Sequence, residues 1–150
     1  MRFKTPLLLF LSLIVVIFGY VKYTDLQPVN IVSVHQEGAY VDILVKNFPV
    51  TDKGRITWWL KNKDSLKDTY NLPMTVKGDG FYFITIWNFG DGYVEDDGYD
   101  RLCFDDMREK KHCINKEPFL TIRKGKETGL TFLMDDDKYK VDAEGNLMNF

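Results

Sequence analysis

Residues 5–21 carry no charged side chain, and from Leu7 to Val21 the run is apolar but for Ser12. As a helix rising 1.5 Å per residue, those 17 residues span about 26 Å, just enough to cross a bilayer core. Lys4 and Lys22 bracket the run and can snorkel to the two interfaces, while Tyr20 and Tyr23 fall where aromatic rings favour the headgroup layer. Beyond residue 30 the pattern changes to period two. Ile31 to His35 and Ala39 to Lys46 flank a Gln36-Glu37-Gly38 turn, predicting a β-hairpin in which Val32 and Val34 meet Val41, Ile43 and Val45 on one face.

After Asn47-Phe48-Pro49 the period changes again. A Thr51 or Asp52 cap precedes Ile56, Trp59, Leu60, Leu66 and Tyr70 at helical spacing, so one helix is predicted to run to about Tyr70, with Pro73 closing the segment. At 100° per residue Trp58 lies about 130° from the centre of that stripe and is expected to point away from the sheet. Phe81 to Trp87 is apolar on both strand faces, which predicts a central strand covered on both sides or meeting a partner on the second. Gly90-Asp91-Gly92 breaks it. Further strands are expected at residues 119–122, 130–134 and 139–141, with Glu144-Gly145-Asn146 turning into Leu147 to Phe150. The fold class is α+β: one N-terminal transmembrane helix, then a mostly antiparallel β-sheet packed against one main helix. The expected division is a cytoplasmic N-terminus and anchor at residues 1–23, a linker at 24–30 containing Pro28, and one domain at 31–150.

Charge sharpens the topology. The chain has 20 Lys and Arg against 22 Asp and Glu, and every acidic residue lies beyond residue 23. Removing Arg2, Lys4 and Lys22 leaves 17 basic residues and a net charge of −5 for the remainder, which excludes an electrostatic nucleic-acid binder. Arg2, Lys4 and the amino terminus favour the cytoplasmic side, so the domain is expected on the far side of the membrane. A cleaved signal peptide competes with this reading, but of the small residues cleavage needs, residues 17–23 offer only Gly19. Cys103 and Cys113 fit the translocated side, where a pair so spaced can close as a disulfide; two buried free thiols are the alternative.

The chemistry on offer is narrow. His35 and His112 sit in no ligand-spaced motif, so no zinc site or other metal or cofactor is expected. His35 alternates with the apolar face of its strand and is expected to be solvated, while His112 belongs to a charged loop. Beyond the anchor only Ser33 and Ser65 occur, neither in a nucleophile elbow. Gly78-Asp79-Gly80 and Gly90-Asp91-Gly92 are turn signals rather than phosphate loops. The acidic residues Asp91, Glu95, Asp96, Asp97, Asp100, Asp105 and Asp106, with a second group at Asp135-Asp136-Asp137, lack the alternation of a calcium loop and read as solvated turns. Trp58, Tyr93 and Tyr99 are placed on surface or loop positions near them. Together with Asp96 and Asp97 these three are the candidate partner contacts, packing over the core being the alternative.

The segments from Asn47 to Leu60 with Trp58-Trp59, Phe89 to Tyr93, and Tyr99 to Met107 with Leu102-Cys103-Phe104-Asp105-Asp106, followed by Cys113, resemble the enterobacterial putative membrane protein family named domain of unknown function nine-four-three. The resemblance covers nearly the whole chain. It implies an inner-membrane location and brings no activity and no catalytic residues. The expectation for function is a non-enzymatic, membrane-anchored binding module whose partner is another envelope protein, in its specific form an immunity protein against an envelope-targeting toxin. Two alternatives stand beside it: a carboxylate-dependent hydrolase of envelope glycan, which would need two close carboxylates in a cleft, and a structural subunit of an envelope complex using the aromatic strand at residues 81–87.

Overall fold

In the computed structural model, residues 4–74 and 80–150 are described. Residues 78 and 79 of the expected Gly78-Asp79-Gly80 turn, and Arg2, lie outside them. Helix α1 (Lys4–Leu26) is continuous through the apolar run, and its candidate span, Thr5–Thr24, covers 20 residues. The helix therefore outlasts the 17 apolar residues, and a three-residue connection at residues 27–29 leads into the first strand.

Strands β1 (Asn30–Glu37) and β2 (Tyr40–Lys46) form the expected hairpin, closed by Gly38 at φ 60°. Helix α2 (Asp52–Tyr70) begins where Thr51 Oγ1 accepts the Gly54 N–H at 3.1 Å. It ends on Asn71, whose left-handed backbone (φ 52°) aims its N–H at the Lys67 carbonyl. Strand β3 (Tyr82–Asn88) then pairs parallel to β2, because a helical crossover returns the chain to the same end of the sheet. All other strand pairs are antiparallel. Three come from β7 (Pro118–Gly125) beside β3, β8 (Gly129–Leu133) and β9 (Lys138–Val141), and a fourth adds β10 (Leu147–Asn149) at the far edge. The order of the seven-stranded sheet is β1-β2-β3-β7-β8-β9-β10, which makes β3 interior as its sequence requires.

Residues 91–115, expected as acidic loop, contain a second sheet. Its strands β4 (Val94–Glu95), β6 (Lys111–Asn115) and β5 (Arg101–Cys103) lie in that order. Strands of two, three and five residues are too short to carry a periodic signal.

Each face of the main sheet buries a core. Val41, Ile43, Val45, Ile84, Ile86, Leu120, Ile122 and Phe132 pack with Ile56, Trp59 and Leu66 of α2. On the opposite face Leu44 and Trp87 meet Phe104, Ile114 and Tyr93 of the small-sheet region. The apolar character of both faces of β3 has its cause in this two-sided cover at the Trp87 end.

Four expectations about side chains are corrected. Val32 does not join the core: the register slips between Ile31 and Ser33, so Ile31 and Val34 reach the helix side and the extra residue, Val32, is exposed. Leu60 and Tyr70 stand at the exposed margin of the α2 stripe. Trp58 is half-buried instead of pointing freely outward, because the 47–50 connection climbs the flank of the helix and sets Phe48 against it edge-to-face at 5.2 Å. His35, expected in solvent, is only 7% exposed.

Candidate functional site

The seam between the two sheets is where the structure concentrates polar chemistry. After the bulge, Ser33 and His35 project from β1 toward the small sheet, across from Leu44 and Asp42 of β2. The imidazole of His35 stacks on Phe104, with ring centroids 3.8 Å apart and planes 12° from parallel. Its Nδ1 lies 2.9 and 2.8 Å from the two carboxylate oxygens of Asp106, while its Nε2 lies 2.9 Å from the Tyr93 hydroxyl and 3.2 Å from Ser33 Oγ. With a proton on Nδ1 donated to Asp106, Nε2 is an acceptor for the two hydroxyls. One buried ring thereby ties β1 to the residues preceding β4 and to the turn following β5.

A second polar bridge lies alongside. Trp87 Nε1 donates to Asp42 Oδ1 at 2.6 Å. Burial pushes the Asp42 carboxyl above its ordinary value of 3.8, opposed by that hydrogen bond and by the nearby His35. Two open grooves flank the His35–Asp106 pair. One, of about 520 Å³, is lined by Ser33, Tyr93, Arg108 and Glu109; the other, of about 280 Å³, by Tyr40, Asp42, Leu102 and Asp105.

The disulfide lies directly behind this seam. Cys103 and Cys113 face each other across β5 and β6 with Cα atoms 4.0 Å apart and are bonded, as expected. The adjacent Phe104 is held by its N–H to the His112 carbonyl at 3.0 Å, which fixes the ring that His35 stacks upon. His112 belongs to β6 rather than to a loop. Ligand atoms of Cys103, His112 and Cys113 lie within 4.8 Å of one another, but bridged sulfurs have no thiolate to offer a metal.

The remaining candidate contacts separate into two groups. Tyr93 is occupied at the seam, edge-on to Phe89 and bonded to His35. Asp96, Asp97 and Tyr99 share the 96–100 loop between β4 and β5. That loop is tightly organised: Asp96 Oδ1 accepts the Gly98 N–H at 3.1 Å, and Asp97 accepts the Tyr99 N–H and two guanidinium N–H groups of Arg101. The Arg101 guanidinium holds the Asp97 carboxyl down at about 2. Arg101 also reaches Asn115, and Lys116 pairs with Asp100. At the centre of this frame Tyr99 stands 77% exposed. Asp135 and Asp136 are exposed turn carboxylates, while Asp137 Oδ1 accepts from Asn149 at 3.0 Å.

Comparison with known families adds one finding. A family model described as enterobacterial putative membrane protein, domain of unknown function nine-four-three, matches residues 3–150. The chain belongs to this family. The match extends through α1, so the apolar helix is a family feature together with the domain it carries. No curated protein and no solved structure matches the chain.

Sequence reasoning missed the His35 cluster, because its members are 58 and 71 residues apart along the chain. One signal was present: Leu44 and Trp87 are large apolar residues on the face of the hairpin sheet opposite α2, and they demand a second cover layer.

Proposed function

We propose that this chain is a single-pass inner-membrane protein whose domain faces the periplasm and serves as a non-enzymatic binding module, in its specific form an immunity protein against a toxin delivered there. The observation that carries the reading is Tyr99: a large aromatic held out into solvent by an acidic loop that is itself cross-braced by Arg101 and backed by a disulfide-linked sheet. A rigid exposed aromatic loses little freedom on binding and is the side-chain type that dominates protein contacts. Glu95 and Asp96 beside it suit a partner with a basic rim around an apolar pocket. The positive start of the sequence supports the orientation, and a disulfide supports an oxidising compartment.

The test is immunoprecipitation of the detergent-solubilised full chain with the toxin encoded by a neighbouring gene, together with survival on co-expression. Tyr99→Ala is expected to weaken binding by about tenfold or more, a loss of at least ~1.4 kcal/mol, and to reduce protection. A Tyr99→Ala protein that remains oxidised and protects as well as the parent would sink the reading.

One observation favours a second, hydrolytic reading. Ser33 Oγ, His35 Nε2, His35 Nδ1 and Asp106 are connected in the order of an acyl-transfer triad. Binding is the better-supported function because the Tyr93 hydroxyl is closer to Nε2 than Ser33 is, and Ser33 lies within a paired strand instead of on a sharp turn. Labelling of Ser33 by a fluorophosphonate probe, abolished by His35→Ala, would reverse that order.

A further inference from the structure

The connection between anchor and domain forms one side of a groove whose other side is α2. Leu26, Val29, Trp58, Lys61, Ser65 and Thr69 line it, around a volume of about 550 Å³. The candidate span ends at Thr24, so Leu26 lies only ~3 Å further along the helix axis. The polar layer on each side of a bilayer is roughly 5–8 Å thick. Leu26 is 82% exposed within the protein, and the end of the groove that it lines is held in that layer or directly upon it. That depth is set by the distance from the span and is the same for either orientation of the chain.

The composition of the α2 face suits that depth. Lys61, Ser65 and Thr69 recur every four residues and are exposed. Trp58 sits half-buried on the same side, and Tyr70 follows at the helix end, an aromatic pairing favoured at the interface. Lys22 lies at the end of the span. Asp64 and Asp68 occupy the adjoining strip of α2 and would repel phosphate, so contact is confined to the strip that carries Lys61. We propose that this groove is a phospholipid-headgroup site, in which the Lys61 ammonium and the Ser65 and Thr69 hydroxyls donate to a lipid phosphate and lay α2 along the surface of the membrane that α1 crosses. Trp58 then faces lipid headgroups, and the Tyr99 loop is left for protein contact.

The full chain can be reconstituted in vesicles of phosphatidylethanolamine and phosphatidylglycerol in a 3:1 ratio, the probe being a lipid that carries chelated nickel at its headgroup. A nitroxide at Asn62→Cys, which lines the same groove, is expected to relax at least threefold faster with that lipid than without it. The same label at Arg123→Cys, on the sheet face away from α2, should be unaffected. Lys61→Glu should cut the effect at position 62 by half or more. Equal relaxation at positions 62 and 123 would overturn the placement; an effect at 62 that ignores Lys61→Glu would overturn the headgroup contact.

Discussion

Replacing His35 with alanine should loosen the whole seam between the sheets. The ring is 7% exposed and engages Asp106, Tyr93, Ser33 and Phe104, so several contributions vanish together. The bond to Asp106 is worth about 1 kcal/mol, discounted from the charged-pair range because the Asp106 side chain is 56% exposed. Losing the acceptor for the Tyr93 and Ser33 hydroxyls costs about another 1 kcal/mol. The stack on Phe104 adds ~1 kcal/mol, and the space left behind adds a comparable amount.

The expected loss is therefore about 3–4 kcal/mol, a large share of the roughly 5–15 kcal/mol that holds a domain folded. Urea unfolding of the full chain in detergent micelles, followed by circular dichroism, measures it. With a slope of about 1–3 kcal/mol/M the midpoint should fall by ~1–4 M. His35→Phe retains the stack and should lose about half as much. A double-mutant cycle with Asp106→Ala should return a coupling of roughly 0.5–2 kcal/mol. A His35→Ala loss below about 1 kcal/mol, the size of an ordinary surface change, would refute the idea that this ring joins the sheets.

Two further outcomes follow from the small sheet. Replacing Cys103 and Cys113 together with alanine should destabilise the chain by about 2–3 kcal/mol for a closed loop of this length, and more than additively with His35→Ala, since both hold Phe104; the same urea titration reads it. In a carboxyl NMR titration Asp97 should change protonation at about 2 and return toward 3.8 in Arg101→Ala. Because its folded value is lowered, its favourable contribution is present above the unfolded value and is lost as pH falls through 2.

The elements with a clean period were legible from the residues alone. The N-terminal apolar helix, the β1-β2 hairpin, α2 with its Thr51 cap, the interior position of β3 and the C-terminal meander all follow from spacing and turn chemistry. Three features were not. The bulge at Val32 leaves no mark in a run of alternating residues, yet it decides that His35 turns inward. The 94–115 region is rich in acidic and turn residues, and its sheet is held by the disulfide and the seam more than by strand propensity. The helix wheel turns Trp58 away from the core stripe and carries no information about Phe48, which arrives from the preceding connection and half-buries it. For the candidate contacts the consequence is selective: Tyr93 is occupied by packing, whereas Asp96, Asp97 and Tyr99 converge on one loop.

Strand β1 carries two duties that explain its irregularity. It is the first strand after α1, and it is the edge of the main sheet, where unpaired backbone groups invite pairing with another chain. A flat eight-residue edge would be a site for lateral association. The Val32 bulge interrupts that edge, sending Ile31 and Val34 to the α2 core while Ser33 and His35 go to the seam. One strand thus joins α1 to both cores of the domain, and the ring that secures the second core lies only five residues beyond the start of that strand. Were Val32 to enter the ladder as a regular strand residue opposite Leu44, every later residue of β1 would slip by one and His35 would move to the α2 face, because a one-residue slip reverses every side chain beyond it. The polar ring would then enter the apolar core, and Asp106, Tyr93 and Phe104 would lose their partner in the same step, so the bulge and the seam stand or fall together.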